Sequence, residues 1–83
     1  MQTPPLGDQE LEIYRYVDHS APIAGRDVAE YFALEKGLSR STVLTVLERL
    51  RKKGYLSRKR SAGVYLYSTR VETSEVLHGL IGS

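Results

Sequence analysis

The apolar positions of this chain fall three times into a helical spacing and then switch to a spacing of two. Leu11, Ile13, Tyr14 and Val17 lie on one side of a helix running from Asp8 to about His19. Asp8 is its expected N-cap, and Glu10 and Glu12 sit favourably against the positive end of the helix dipole. Ser20-Ala21-Pro22 ends it, because proline disfavours helix at the residue before it. Val28, Ala29 and Phe32 repeat the spacing in a second helix, about Gly25 to Lys36, closed by Gly37. The N-cap of that helix is poor, since neither Ala24 nor Gly25 has a side-chain oxygen. Ser39 caps a third helix that runs to Lys53 and stops at Gly54. Its apolar face holds Val43, Val46, Leu47 and Leu50, and its opposite face holds Ser41, Thr45, Glu48, Arg49 and Lys52.

Beyond Gly54, Tyr55 to Arg60 and Val64 to Thr69 read as strands of a hairpin around Ser61-Ala62-Gly63, with glycine at a left-handed position. The register is left open. Met1 to Gly7 is Pro-rich and reads as an extended arm. Residues 71–83 read either as a short C-terminal helix over Glu72 to Ile81, carrying Val76, Leu77, Leu80 and Ile81, or as the start of a dimerisation segment. Residues 8–70 then form one domain, mainly α with a small β-hairpin. Two helices joined by the short link Gly37-Leu38 are a helix-turn-helix pattern, with the third helix in the recognition position. The full order is that of a winged helix-turn-helix, with a three-helix core and a two- or three-stranded wing.

Charge changes the picture more than composition does. From Lys36 to Arg60 stand nine of the chain's 12 Lys and Arg against the single carboxylate of Glu48, a net +8, while the remainder is −6. The overall +2 hides this asymmetry, which points to a polyanion as partner. With 83 residues and 41% hydrophobic content, one small domain is expected. The absence of cysteine excludes disulfides, thiolate zinc sites and a cysteine nucleophile, and fits a reducing compartment. His19 and His78 have no metal-ligand spacing. There is no apolar run of about 18 residues and no signal-peptide pattern, so a cytoplasmic location is expected, without membrane, cofactor, metal or evident small-molecule ligand. No nucleophile motif, phosphate loop or carboxylate pair argues for an enzyme.

The run Ser41-Thr42-Val43-Leu44-Thr45-Val46-Leu47-Glu48-Arg49-Leu50, followed by Lys53-Gly54-Tyr55-Leu56 and Tyr65-Leu66-Tyr67, resembles the penicillinase-repressor (BlaI/MecI/CopY) family. Leu6 to Ile13 and Asp27-Val28-Ala29 resemble its first two helices, so that the likeness spans roughly residues 6 to 75. It implies a winged-helix repressor that binds palindromic operator DNA as a dimer. By position, Ser41, Thr42 and Thr45 match the polar residues of the family's recognition helix, Arg49 its R-L pair, and Arg58 and Arg60 its wing strands. Ala24 replaces the usual threonine cap, and Ser61-Ala62-Gly63 replaces a wing tip that often carries arginine. The family's C-terminal dimerisation region is expected to follow where this sequence ends. It also holds the cleavage site of the β-lactam repressors and the cysteine motif of the copper branch, so neither inducer mechanism is carried over.

Base edges lie at the floor of the major groove, which short polar side chains and arginines near a helix N-terminus can reach. Arg40, Ser41, Thr42 and Thr45 suit that task; read structurally, Ser39 to Thr42 are a cap and Thr45 a solvated position. Arg51, Lys52, Lys53, Arg58, Lys59 and Arg60 suit phosphates, though not all six can reach DNA, and a solvated basic face is the alternative. Arg49 either joins them or packs on the scaffold. The six tyrosines read mainly as core and hairpin packing, with Tyr65 the candidate for a phosphate hydrogen bond. The functional expectation is a sequence-specific DNA-binding regulator, a repressor acting through helix 39–53 and wing 55–69. The alternatives are a winged-helix protein-interaction module and a non-specific DNA-binding protein.

Overall fold

A computed structural model describes residues 6–70. Helix α1 is Asp8–Ser20, strand β1 Ile23–Ala24, helix α2 Gly25–Lys36, helix α3 Arg40–Lys52, strand β2 Leu56–Ser61 and strand β3 Val64–Thr69. The expected C-terminal helix over 72–81 and most of the arm over 1–7 lie outside the described residues.

The three helices form where the apolar spacing places them. Ile13 and Val17 from α1, Val28, Ala29 and Phe32 from α2, and Val43, Val46, Leu47 and Leu50 from α3 close one core with Leu56 and Tyr67 of the sheet. Each of these is at most 4% exposed, and the Val, Leu, Ile and Phe side chains among them each contribute on the order of 1.5–3 kcal/mol through removal from water. Gly37 closes α2 at a left-handed φ of 70°, its N–H donating to the carbonyl of Phe32. Ser39 caps α3 by accepting from the N–H of Thr42 at 3.1 Å.

The cap of α1 differs from the expectation. Gly7, not Asp8, is the N-cap, and its N–H donates at 3.1 Å to Oε1 of Glu10 reaching back from the first turn. Asp8 thereby moves inside the helix, where its charge still suits the dipole. Glu10 is taken by a second partner as well: Lys53 Nζ lies 3.1 and 3.2 Å from its two oxygens and Arg49 Nη1 3.8 Å away. A buried carboxylate thus ties the start of α1 to the end of α3. The hydrogen bond from Gly7, then the contact with Lys53, holds the Glu10 carboxyl below its ordinary pKa.

The sheet has three antiparallel strands in the order β1-β3-β2. β1 is a two-residue strand, Ile23 opposite Tyr67 and Ala24 opposite Leu66, too short to leave a period in the sequence. In the hairpin, Arg58 faces Tyr67, Lys59 faces Leu66, Arg60 faces Tyr65 and Ser61 faces Val64. Ser61 is therefore a strand residue, and the connection shortens from three residues to two, Ala62-Gly63. Both have positive φ, 51° and 79°, the backbone of a type I′ turn whose twist matches that of the strands.

Candidate nucleic-acid interface

Burial of Val43, Val46, Leu47 and Leu50 turns the other side of α3 to solvent, and Arg40, Ser41, Thr42, Thr45, Arg49 and Lys52 are all exposed there. A shallow polar groove runs over Ser41, Thr42, Thr45, Val46 and Arg49 and is bordered by Gln9 of α1. A second runs over Leu44, Thr45, Glu48, Arg49, Lys52 and Lys53. Thr45 and Arg49 line both, so Thr45 sits at the middle of the accessible surface. Thr42 is engaged in the cap, its Oγ1 accepting from Ser39 Oγ at 2.7 Å, while Ser41 Oγ is 3.3 Å from the same hydroxyl. The first turn is thus capped and exposed at once.

Among the described residues, ion pairs engage six of the nine cations between Lys36 and Arg60. Lys36 meets Glu12 at 3.1 Å and Arg40 meets Glu30 at 2.7 Å; these four side chains are about half exposed. Arg49 and Lys53 share Glu10, and Arg51 and Arg58 share Glu48. Lys52, Lys59 and Arg60 are exposed and take part in no ion pair among the described residues. Of the six cations suited to phosphate by sequence, Arg51, Lys53 and Arg58 are thus held by carboxylates of the domain itself.

On the wing, the strand pleat separates Arg58 from Lys59. Leu56, Arg58 and Arg60 alternate onto one face of β2, and Tyr65 and Tyr67 lie across from them on β3. That face packs toward α3, so Arg58 Nη1 reaches Oε2 of Glu48 at 2.9 Å and its guanidinium lies 4.1 Å from the ring centroid of Tyr65. Arg60, nearer the tip, is 5.7 Å from the same ring, and Lys59 points from the other face. Tyr65 itself is 43% exposed, so it is the platform for two arginines as well as an accessible hydroxyl.

Glu48 was legible as a lone negative charge but not as a junction. Arg51 grips it through Nε at 3.1 and 3.2 Å and Nη2 at 2.8 Å, Arg58 donates to it, and Tyr67 Oη donates to Oε2 at 2.6 Å. The hydrogen bond from Arg51, with that from Tyr67, overcomes partial burial and brings the Glu48 carboxyl down to about 2. Burial, then the bond to Glu48, pushes the Tyr67 phenol up to about 12. Gly25 completes this corner: a Cβ there would lie 2.9 Å from Cε1 of Tyr67 and 3.4 Å from Cδ2 of Leu44. Gln9 and Leu44, the latter 40% exposed on α3, are further surface residues here that no motif or charge marks in the sequence.

Known proteins share this fold. The family model of the Penicillinase repressor matches residues 6–83. The solution structure of the DNA-binding domain of the repressor BlaI is similar with a TM-score of 0.76 and 27% identity, over 89% of this chain and 90% of that one. The solution structure of monomeric Bacillus licheniformis BlaI in complex with the blaP half-operator gives 0.73 and 27% over the same shares. Streptococcus pneumoniae FabT in complex with DNA shares the fold, with a TM-score of 0.67 and 21% identity over 93% of this chain and 52% of that chain. A sequence comparison with curated proteins found no match.

Proposed function

The chain belongs to the penicillinase-repressor family, and we propose that it is a DNA-binding transcriptional repressor that reads a palindromic operator through α3. The carrying observation is the outward face of that helix, where Ser41 and Thr45 stand exposed among Arg40, Arg49 and Lys52, short polar side chains and cations of the kind that enter a major groove. Ser41 and Thr45 hydroxyls meet base edges, Thr42 lends its methyl from the capped turn, and Leu44 offers an apolar surface to thymine methyls. Arg40, paired with Glu30 on the open surface where water competes, exchanges that carboxylate for a guanine or a phosphate. Lys52, Lys59 and Arg60 supply phosphate contacts, and Tyr65 a hydroxyl beside them. BlaI in monomeric form is seen on a half-operator; by analogy one copy of this domain covers one half-site and a pair of copies the whole.

Selection of bound duplexes from a random-sequence pool tests this reading. It predicts enrichment of one motif over the pool, with a preference lost on Thr45→Ala or Arg40→Ala. A ratio near one between enriched and random duplexes at moderate salt sinks the operator-reading role and leaves only non-specific binding.

A further inference from the structure

A carboxylate on the exposed half of a recognition helix repels phosphate, yet Glu48 lines the same groove as Thr45, Arg49 and Lys52. Nor is it available to accept from a cytosine amino group. Arg51 donates to both of its oxygens, and Oε2 also accepts from Arg58 and Tyr67. The two guanidiniums it holds are near the surface, their side chains 33% and 28% exposed. A guanidinium grips a carboxylate and a phosphate with the same fork of N–H donors, so the two anions are exchangeable partners.

We propose that Glu48 is an internal counter-anion that withholds Arg51 and Arg58 from the DNA backbone and so limits the domain's affinity for DNA of any sequence. The inference rests on the DNA-binding role proposed above. Tyr67 makes the device durable: it anchors the carboxylate from the buried side, so that Arg51 and Arg58 are drawn to a fixed point between helix and wing. Phosphate affinity is left to Lys52, Lys59 and Arg60, and a larger share of the discrimination falls to the polar face of α3.

Anisotropy titrations of a labelled random-sequence duplex over a range of salt concentrations test the proposal with the wild type, Glu48→Gln and Arg58→Gln. Each phosphate neutralised adds about 0.9 to the slope of log affinity against log salt. Glu48→Gln is expected to bind this duplex several-fold more tightly at low salt, with a slope steeper by about 1 to 2 as the freed guanidiniums reach phosphates. A merely structural role for Glu48 gives the opposite sign, weaker binding by a loosened wing. Arg58→Gln is expected to leave the slope of the wild type unchanged. An unchanged or shallower slope in folded Glu48→Gln overturns the proposal, as does a slope reduced by about 1 in Arg58→Gln. If Glu48→Gln does not fold by circular dichroism, the Arg58→Gln slope decides alone. Failure of the wild type to bind the duplex at low salt would instead remove the DNA-binding reading itself.

Discussion

The phenol of Tyr67, on the central strand, donates to Oε2 of Glu48, in the middle of α3, at 2.6 Å. This short bond to a charged acceptor joins the helix that would enter DNA to the sheet that would flank it. A hydrogen bond to a charged group contributes about 1.5–3 kcal/mol, but Glu48 keeps both arginines when the phenol is lost. Tyr67→Phe is therefore expected to lower stability by about 1–2 kcal/mol with little change in the ring's packing. Urea unfolding should show an earlier midpoint at an unchanged slope.

The same pair sets two pH limits. The Glu48 carboxyl is lowered from 4.5 to about 2, so its contribution is complete above about pH 4.5 and is lost as pH falls toward about 2. Glu10, lowered by Gly7 and Lys53, acts in the same direction. The Tyr67 phenol is raised from 10.0 to about 12, so its contribution is complete below pH 10 and is lost as pH climbs toward about 12. Thermal melts across pH should decline at both ends, the alkaline decline shrinking in Tyr67→Phe and the acid one in Glu48→Gln. Identical pH profiles in all three proteins would contradict the assignment.

Gly25 lies against the Tyr67 ring, and that ring is pinned by its hydroxyl. A methyl at Gly25 would sit 2.9 Å from Cε1, closer than carbon atoms tolerate, so ring or helix must shift. Overpacking costs about 1–3 kcal/mol, against a gain of up to about 1 kcal/mol from replacing glycine within a helix. Gly25→Ala is expected to be destabilising by about 1–2 kcal/mol, and Gly25→Val by more. A melting temperature at or above that of the wild type would show that this corner yields.

Ala62 occupies the first position of the I′ turn at φ 51°, where a Cβ is disfavoured and asparagine is preferred. Holding a side chain in the left-handed region costs about 1–2 kcal/mol, part of which asparagine recovers through local hydrogen bonding. Ala62→Asn is expected to stabilise the domain by about 0.5–1 kcal/mol, read as a later denaturation midpoint.

On the wing, Lys59 is exposed and carries no ion pair among the described residues, in contrast with its neighbour Arg58. Lys59→Gln should weaken binding to all duplexes alike and lower the salt slope by about 0.9, with no change in the preferred sequence. A change of preferred motif instead would place Lys59 at a base.

The helices were readable because each announces itself within about four residues: a stripe of Val43, Val46, Leu47 and Leu50 needs no knowledge of the rest of the chain. The ends signalled by Gly37 and Ser39 are equally local. What the sequence conceals depends on which distant residues meet. Glu10 and Lys53 are 43 residues apart, and their contact depends on how α1 crosses α3. Arg58 faces Glu48 only because the turn has two residues; a slip of one would send it to the other face and bring Lys59 round in its place. Strand β1 has two residues and exists because β3 offers it an edge. The cations of the segment from 36 to 60 were thus visible, and their division into held and exposed ones was not.

The order β1-β3-β2 leaves β2 at the rim of the sheet, its outer hydrogen-bonding groups unpaired among the described residues. An open rim of this kind is a template on which a second chain can add its own strand. Here the rim carries Arg58, Lys59 and Arg60 in succession, and an antiparallel match between two such rims would bring like charges together. A second copy pairing antiparallel on this rim would meet like charge at each of these positions, which disfavours growth of one copy into another through their sheets.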